Sequence, residues 1–93
     1  MKYHVIPTKL FKREYKRAKK RGLPMNEMKE VVGKLGDDIP LEEKFHDHPL
    51  SGVYAGYREC HIRPDWLLVY KKDLDALILV LSRTGTHSDL FGK

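Results

Sequence analysis

The chain has 93 residues, 41% of them apolar and 33% charged, with a formal net charge of +5. That is enough for one domain, residues 1–93, around one modest core, and too apolar and aromatic for a disordered chain. The longest apolar run, residues 76–81, is far short of the roughly 20 residues a membrane helix needs; the single cysteine, Cys60, excludes an internal disulfide and a cysteine-based zinc finger.

Residues 1–9 carry no apolar stretch of the secretory kind, so a reducing cytoplasm is the expected compartment. Residues 2–6 alternate and are β-prone, and Pro7 ends them as a strand. Thr8 can cap a helix to about Arg21, stopped by Gly22 with Pro24 beyond. Phe11, Tyr15 and Ala18, with Leu10 beside them, form its core side. Residues 25–35 predict a second helix, with Met28, Val31, Val32 and Leu35 as the stripe and Gly36 as the stop. The short link predicts an antiparallel hairpin. Residues 37–52 have no period and predict an ordered loop. Strands are expected over 57–63, 66–71 and 76–83, with a turn at 72–75, and a polar turn with one helical turn from Ser88 closes the chain. Short connections favour antiparallel pairing. The order β-α-α-β-β-β predicts an α+β fold in which a small antiparallel sheet packs on the helix hairpin. The strands 66–70 and 77–81 are apolar at nearly every position, so the second sheet face should be a partly apolar groove.

Eight of the 18 basic residues fall between Thr8 and Gly22, and only Glu14 opposes them there. Such a patch suits a polyanion or an acidic protein, although a charge run by itself is more often a solvated helix face. His48, His61 and His87 sit near Asp65, Arg63 and Arg83, with Trp66, Tyr54, Tyr57 and Phe91 as aromatic surface. Histidine exchanges protons near neutral pH, arginine forks grip phosphate, and aromatic faces stack on unpaired bases. Together these are parts for RNA cleavage without a metal, a 2′-OH attacking its neighbouring phosphate. Each residue also has a plainer reading. His61 could be a sheet histidine, Trp66 a core anchor, and Arg83 a partner of Asp65 or Glu59. A metal held by His48, His61, Asp65 and His87 lacks a strong ligand spacing.

The runs Asp47-His48-Pro49-Leu50, Gly56-Tyr57-Arg58-Glu59, His61-Ile62-Arg63-Pro64-Asp65-Trp66-Leu67-Leu68-Val69-Tyr70 and Arg83-Thr84-Gly85-Thr86-His87-Ser88-Asp89-Leu90-Phe91 resemble the YafQ branch of the RelE/ParE toxin superfamily. The motifs cover residues 47–92 in order; the N-terminal half resembles the family only in its basic helix hairpin. The resemblance implies a RelE-like fold and the toxin of a bacterial type II toxin–antitoxin pair. Such a toxin is an mRNA endoribonuclease that cuts in the ribosomal A site without metal or other cofactor. By the same resemblance the catalytic set is His48, His61, Asp65, Arg83 and His87, with Arg83 on the phosphate and His87 as general acid; Asp65, His48 and His61 remain candidates for the base. Trp66 and Phe91 match the aromatic positions near the cleft, and His46 has no assigned role. Lys9, Lys12, Lys16 and Lys20 would then touch ribosomal RNA phosphates. A DinJ/RelB-like antitoxin would fold across the toxin, which would meet operator DNA only through that complex and would not meet membrane. Two rivals share the scaffold: a ParE-like gyrase inhibitor, which needs no three-histidine cleft, and a non-catalytic RNA- or protein-binding module.

Overall fold

Thr8 opens the first helix as its sequence position requires, its Oγ1 accepting from the Phe11 N–H at 3.0 Å. In the computed structural model, which describes residues 1–92, helix α1 spans Lys9–Lys20 and α2 spans Met25–Gly36. Gly22, at φ 78°, takes the left-handed turn between them. Five strands, β1 (His4–Pro7), β2 (His48–Pro49), β3 (Arg58–Arg63), β4 (Trp66–Asp73) and β5 (Ile78–Gly85), form one sheet in the order β1-β5-β4-β3-β2. A third helix, α3 (His87–Phe91), follows. No helix among the described residues is long and apolar enough to cross a membrane.

The α+β architecture and the element order match the sequence expectation, with three differences. First, the sheet is mixed: β1 pairs with β5 in parallel, His4 opposite Ile78, because the two helices carry the chain back across the sheet between them. Second, the loop over 37–52 hides a short strand. His46 takes a left-handed φ of 47° after a 3-10 turn at Glu43–Phe45, which lets His48 and Pro49 pair with Glu59 and Arg58. Third, β4 runs on to Asp73, whose carboxylate accepts from the N–H groups of Asp75 and Ala76. With Leu77 at φ 54°, this delays the start of β5 to Ile78.

The run of five buried residues at the start of β4 divides by parity. Trp66, Leu68 and Tyr70 join Phe11, Ala18, Met28, Val31 and Leu35 under the helices. Leu67 and Val69 face the other way and meet Leu90, Leu50, Tyr54 and Tyr57. A parity-2 strand would send Leu79, Leu81 and Arg83 to one face. The register of β4 with β5 slips between Val69–Arg83 and Tyr70–Leu81, so Ser82 is an inserted bulge residue. The bulge turns Arg83 to the Val69 face and Thr84 into the core, where the Trp66 indole N–H donates to its Oγ1 at 3.0 Å.

Because β1 ends at Pro7, the β5 edge beyond Leu81 has no strand beside it among the described residues. Side chains fill the gap. Thr8 Oγ1 donates to the Ser82 carbonyl, and Glu14, 5% exposed, accepts from the Thr84 N–H at 3.2 Å. The same carboxylate receives the Arg83 fork at 2.6 and 3.3 Å. In Glu14→Gln, Thr84 keeps an acceptor while the Arg83 charge loses its counter-ion. Stability should fall by about 3 kcal/mol, the low end for a broken buried pair because Arg83 is partly exposed; the midpoint of urea unfolding measures it.

Candidate active site

Four imidazoles meet on the sheet face opposite the long helices. His61 lies at the centre, with ring centroids 5.5 Å from His46, 6.2 Å from His48 and 5.5 Å from His87. His61 stands on β3, His48 on β2, His46 at the preceding turn, and His87 on the first residue of α3. Glu59 lies two residues before His61 on the same strand face. It is 5% exposed, accepts from His61 Nε2 at 3.1 Å and lies 3.8 Å from His48 Nε2. A cleft of about 940 Å³ between α2 and β3 runs up to this cluster and is lined by His46, His48 and His61 on that side.

Two contacts set the tautomers. His48 Nδ1 faces the His46 carbonyl, so it must carry a proton, and Nε2 of the neutral ring is then a lone pair beside Glu59. His87 Nδ1 sits 2.7 Å from Asp65 Oδ1, and the same oxygen accepts from the His87 backbone N–H at 2.9 Å. These two bonds, the backbone one foremost, hold the Asp65 carboxyl below the usual carboxylate range. With Nδ1 committed to Asp65, Nε2 is the ring nitrogen of His87 left for another partner. Asp47 anchors the histidine loop to the sheet, its Oδ1 accepting from the buried Tyr70 hydroxyl and, at 3.2 Å, from Arg58 Nε.

Arg83 shares a sheet row with Glu59, through Val69. Three of its hydrogen bonds go to Glu14 and to the Tyr54 hydroxyl, which accepts at 3.2 Å. The Glu14 bonds push the guanidinium further above its ordinary value. Of five N–H groups, two stay unengaged among the described residues. The expected alternatives, Asp65 or Glu59 as its ion-pair partner, give way to Glu14. Tyr54 stands edge-on to Tyr57 and to Phe91, centroids 6.0 and 5.9 Å away, so an aromatic wall joins Arg83 to α3.

Phe91 is 36% exposed and packs edge-on against Tyr54; it does not line the α2–β3 cleft. Trp66 is 2% exposed, on the helix-facing side, with its N–H bound to Thr84. A strand residue of that parity cannot reach the opposite face, so Trp66 is a core anchor and its substrate-binding role is withdrawn. Lys9, Lys12, Lys16 and Lys20 are exposed on α1 and lie apart from the cluster. Tyr54, expected as aromatic surface, also bonds Arg83; Glu59, Glu14 and His46 join the site without an expected role in it. Glu59 had a signal in its spacing from His61, and Glu14 in its place three residues after Phe11; His46 had none. Glu59, His61 and His87 also present ligand atoms within 4.8 Å of one another, a donor set that suits a transition ion.

A family model described as a bacterial toxin of type II toxin-antitoxin system, YafQ, matches residues 3–92. An mRNA interferase toxin YafQ from Escherichia coli K12 is 42% identical over 83 residues, 88% of each chain. Two solved structures superpose closely. One is the E. coli DinJ-YafQ toxin-antitoxin complex, with a TM-score of 0.89 at 36% identity over 99% of this chain and 100% of that one. The other is a metal-bound toxin from Helicobacter pylori, with a TM-score of 0.90 at 39% identity over 96% and 99%.

The lowered Asp65 carboxyl fixes the sign of a pH effect. A depressed folded-state pKa adds stability above the unfolded value, about 3.9, and loses it as pH falls through the folded value. Thermal unfolding should therefore find the parent chain more stable than Asp65→Asn at pH 7, the gap closing below about pH 4.

Proposed function

The chain belongs to the YafQ family of toxins of bacterial type II toxin–antitoxin systems, and on that premise we propose that it cleaves messenger RNA on the ribosome by metal-independent acid–base chemistry. The observation that carries the reading is the His48–His61–His87 cluster with its two carboxylates. His48 Nε2 takes the proton from a ribose 2′-OH, and the freed oxygen attacks the adjacent phosphorus. The P–O5′ bond breaks, and His87 Nε2 gives its proton to the departing 5′ oxygen. The products are a 2′,3′-cyclic phosphate and a 5′-hydroxyl. Attack through the 2′-OH restricts the substrate to RNA.

The neighbours of the two rings support this division of labour. An imidazole with Nδ1–H on a carbonyl is ready to accept at Nε2, and the Glu59 carboxylate faces the charge it gains. In the protonated form of His87 the Nδ1–H meets Asp65 and the Nε2–H is the one left to donate, so Asp65 acts through His87 rather than as the base. His61 fills the space between them. The two unengaged N–H groups of Arg83 would receive phosphoryl oxygens, stabilising the negative charge that grows there. The Tyr54–Phe91 wall offers a flat surface for a neighbouring base.

The exposed lysines of α1 fit phosphate contacts that position without reading sequence. The same basic face suits an acidic antitoxin segment, and a DinJ-like partner is the natural candidate given the E. coli complex.

Primer extension on messages from cells expressing the chain should show discrete new 5′ ends. His48→Gln and His87→Gln should each lower the cleavage rate by about 10²–10⁴-fold while remaining folded. Growth arrest with intact messages and broken chromosomal DNA would favour a gyrase inhibitor instead. Cleavage lost on chelation of transition ions, with magnesium maintained, would assign Glu59, His61 and His87 to a metal.

Replacing Lys9, Lys12, Lys16 and Lys20 by Gln should weaken ribosome co-sedimentation and leave the thermal unfolding transition cooperative. Unchanged co-sedimentation would remove α1 from the ribosome contact.

A further inference from the structure

Helix α3 has five residues, His87–Phe91, too few to hold helical form alone. It nevertheless presents both His87 and Phe91. Its one buried side chain is Leu90. Its N-terminus is closed by a capping box, in which Asp89 N–H donates to Thr86 Oγ1 and Thr86 N–H donates to Asp89 Oδ2, each at 3.0 Å. The capping carboxylate is also gripped from outside. Arg21, just past the end of α1, places Nη1 on Asp89 Oδ2 at 2.6 Å and Nη2 on Oδ1 at 3.3 Å. Arg17 Nη2 lies 3.4 Å from the same Oδ2.

We propose that Arg21, with Arg17 beside it, is a positioning residue for the cleavage reaction: it clasps Asp89 and so holds α3, keeping His87 against His61 and Phe91 against Tyr54. The inference rests on the nuclease reading above.

Asp89 joins the capping bond and the arginine fork in one carboxylate, so α3 cannot shift without straining both. The far end of the clasp is stiff, since α1 is fixed in the core through Phe11, Glu14 and Ala18. His87, two residues before Asp89, is then held from two sides: by Asp65 on the β3–β4 turn and by α1 through Asp89. The fork and the capping bond together keep the Asp89 carboxyl far below the ordinary range. Gly85 makes room for the arrangement. A Cβ there would meet Asp89 Cβ at 2.9 Å and Arg17 Nη2 at 3.3 Å, so the end of β5 passes directly under the clasp. Half-exposed ion pairs contribute little to global stability. Loss of this one should therefore show in the placement of α3 rather than in unfolding.

The test is a double-mutant cycle of Arg21→Gln and Asp89→Asn on the full chain. Asn keeps a capping oxygen, and neither change touches the histidine cluster. Each single variant should lower kcat about 10-fold, the scale of a sub-ångström misplacement, with KM within about twofold and the urea midpoint nearly unchanged. The double variant should be no slower than the slower single, and Arg21→Lys should recover part of the loss. Losses that multiply in the double variant, or a KM increase confined to Arg21→Gln, would make Arg21 an RNA contact and overturn the clasp. Amide hydrogen exchange reads the same contact without activity. Exchange at His87–Leu90 should quicken in both single variants and stay constant over β3–β5; no change there also overturns the proposal. An inactive parent chain with quickened exchange would instead count against the nuclease reading and leave the clasp standing.

Discussion

The buried carboxylate of Glu14 is the point on which helix, sheet edge and site converge. It closes the edge that β1 leaves open by accepting the Thr84 N–H, and it neutralises Arg83 on the sheet face where the histidines gather. A buried backbone donor without a partner and a half-buried guanidinium without a counter-ion would each be costly. One side chain on α1 meets both needs. It also ties the basic helix to the residue matched to phosphate binding, so the N-terminal half is part of the site's scaffold and not an appended patch.

The geometry of the site follows from two local irregularities in regular elements. The bulge at Ser82 reverses the parity of β5 and carries Arg83 from the core face to the site face. The left-handed His46 turns the loop so that His48 can pair opposite Glu59. Without the first, Arg83 would point into the core with Leu81. Without the second, no imidazole would cross from the loop to β3. Bulges recur beside functional sites because they re-aim one side chain while the surrounding ladder keeps the strand in place.

Around the cluster, every imidazole proton that the structure commits is committed to an acceptor of fixed position: a backbone carbonyl for His48, Glu59 for His61, Asp65 for His87. These contacts fix which nitrogen of each ring is left for a substrate, Nε2 for His48 and His87 and Nδ1 for His61, and the charge on the ring then decides whether that nitrogen accepts or donates. The same convergence of Glu59, His61 and His87 explains how one arrangement can suit proton transfer and also offer a metal donor set.

Much of this was legible in the amino-acid order. Apolar spacing, the Thr8 cap and the Gly22 stop define the two helices, and parity along β4 defines a two-faced sheet, because those signals are local and follow from backbone periodicity. The resemblance of residues 47–92 to one toxin family named His48, His61, Asp65, Arg83 and His87 in advance, and four of the five do gather in one cluster. Trp66 was misjudged because identity alone does not tell which face a strand residue takes. The β1–β5 pairing, the Glu14–Arg83 pair and the Arg21–Asp89 clasp each join segments about 70 residues apart in the chain, and an ion pair has no periodicity to betray it. The Ser82 bulge lies within the β4–β5 pairing, but one inserted residue leaves no mark in residue type. Local order determines which elements form; only the folded sheet edge, with one unpaired N–H and one unbalanced charge to satisfy, decides which side chains from distant segments must meet.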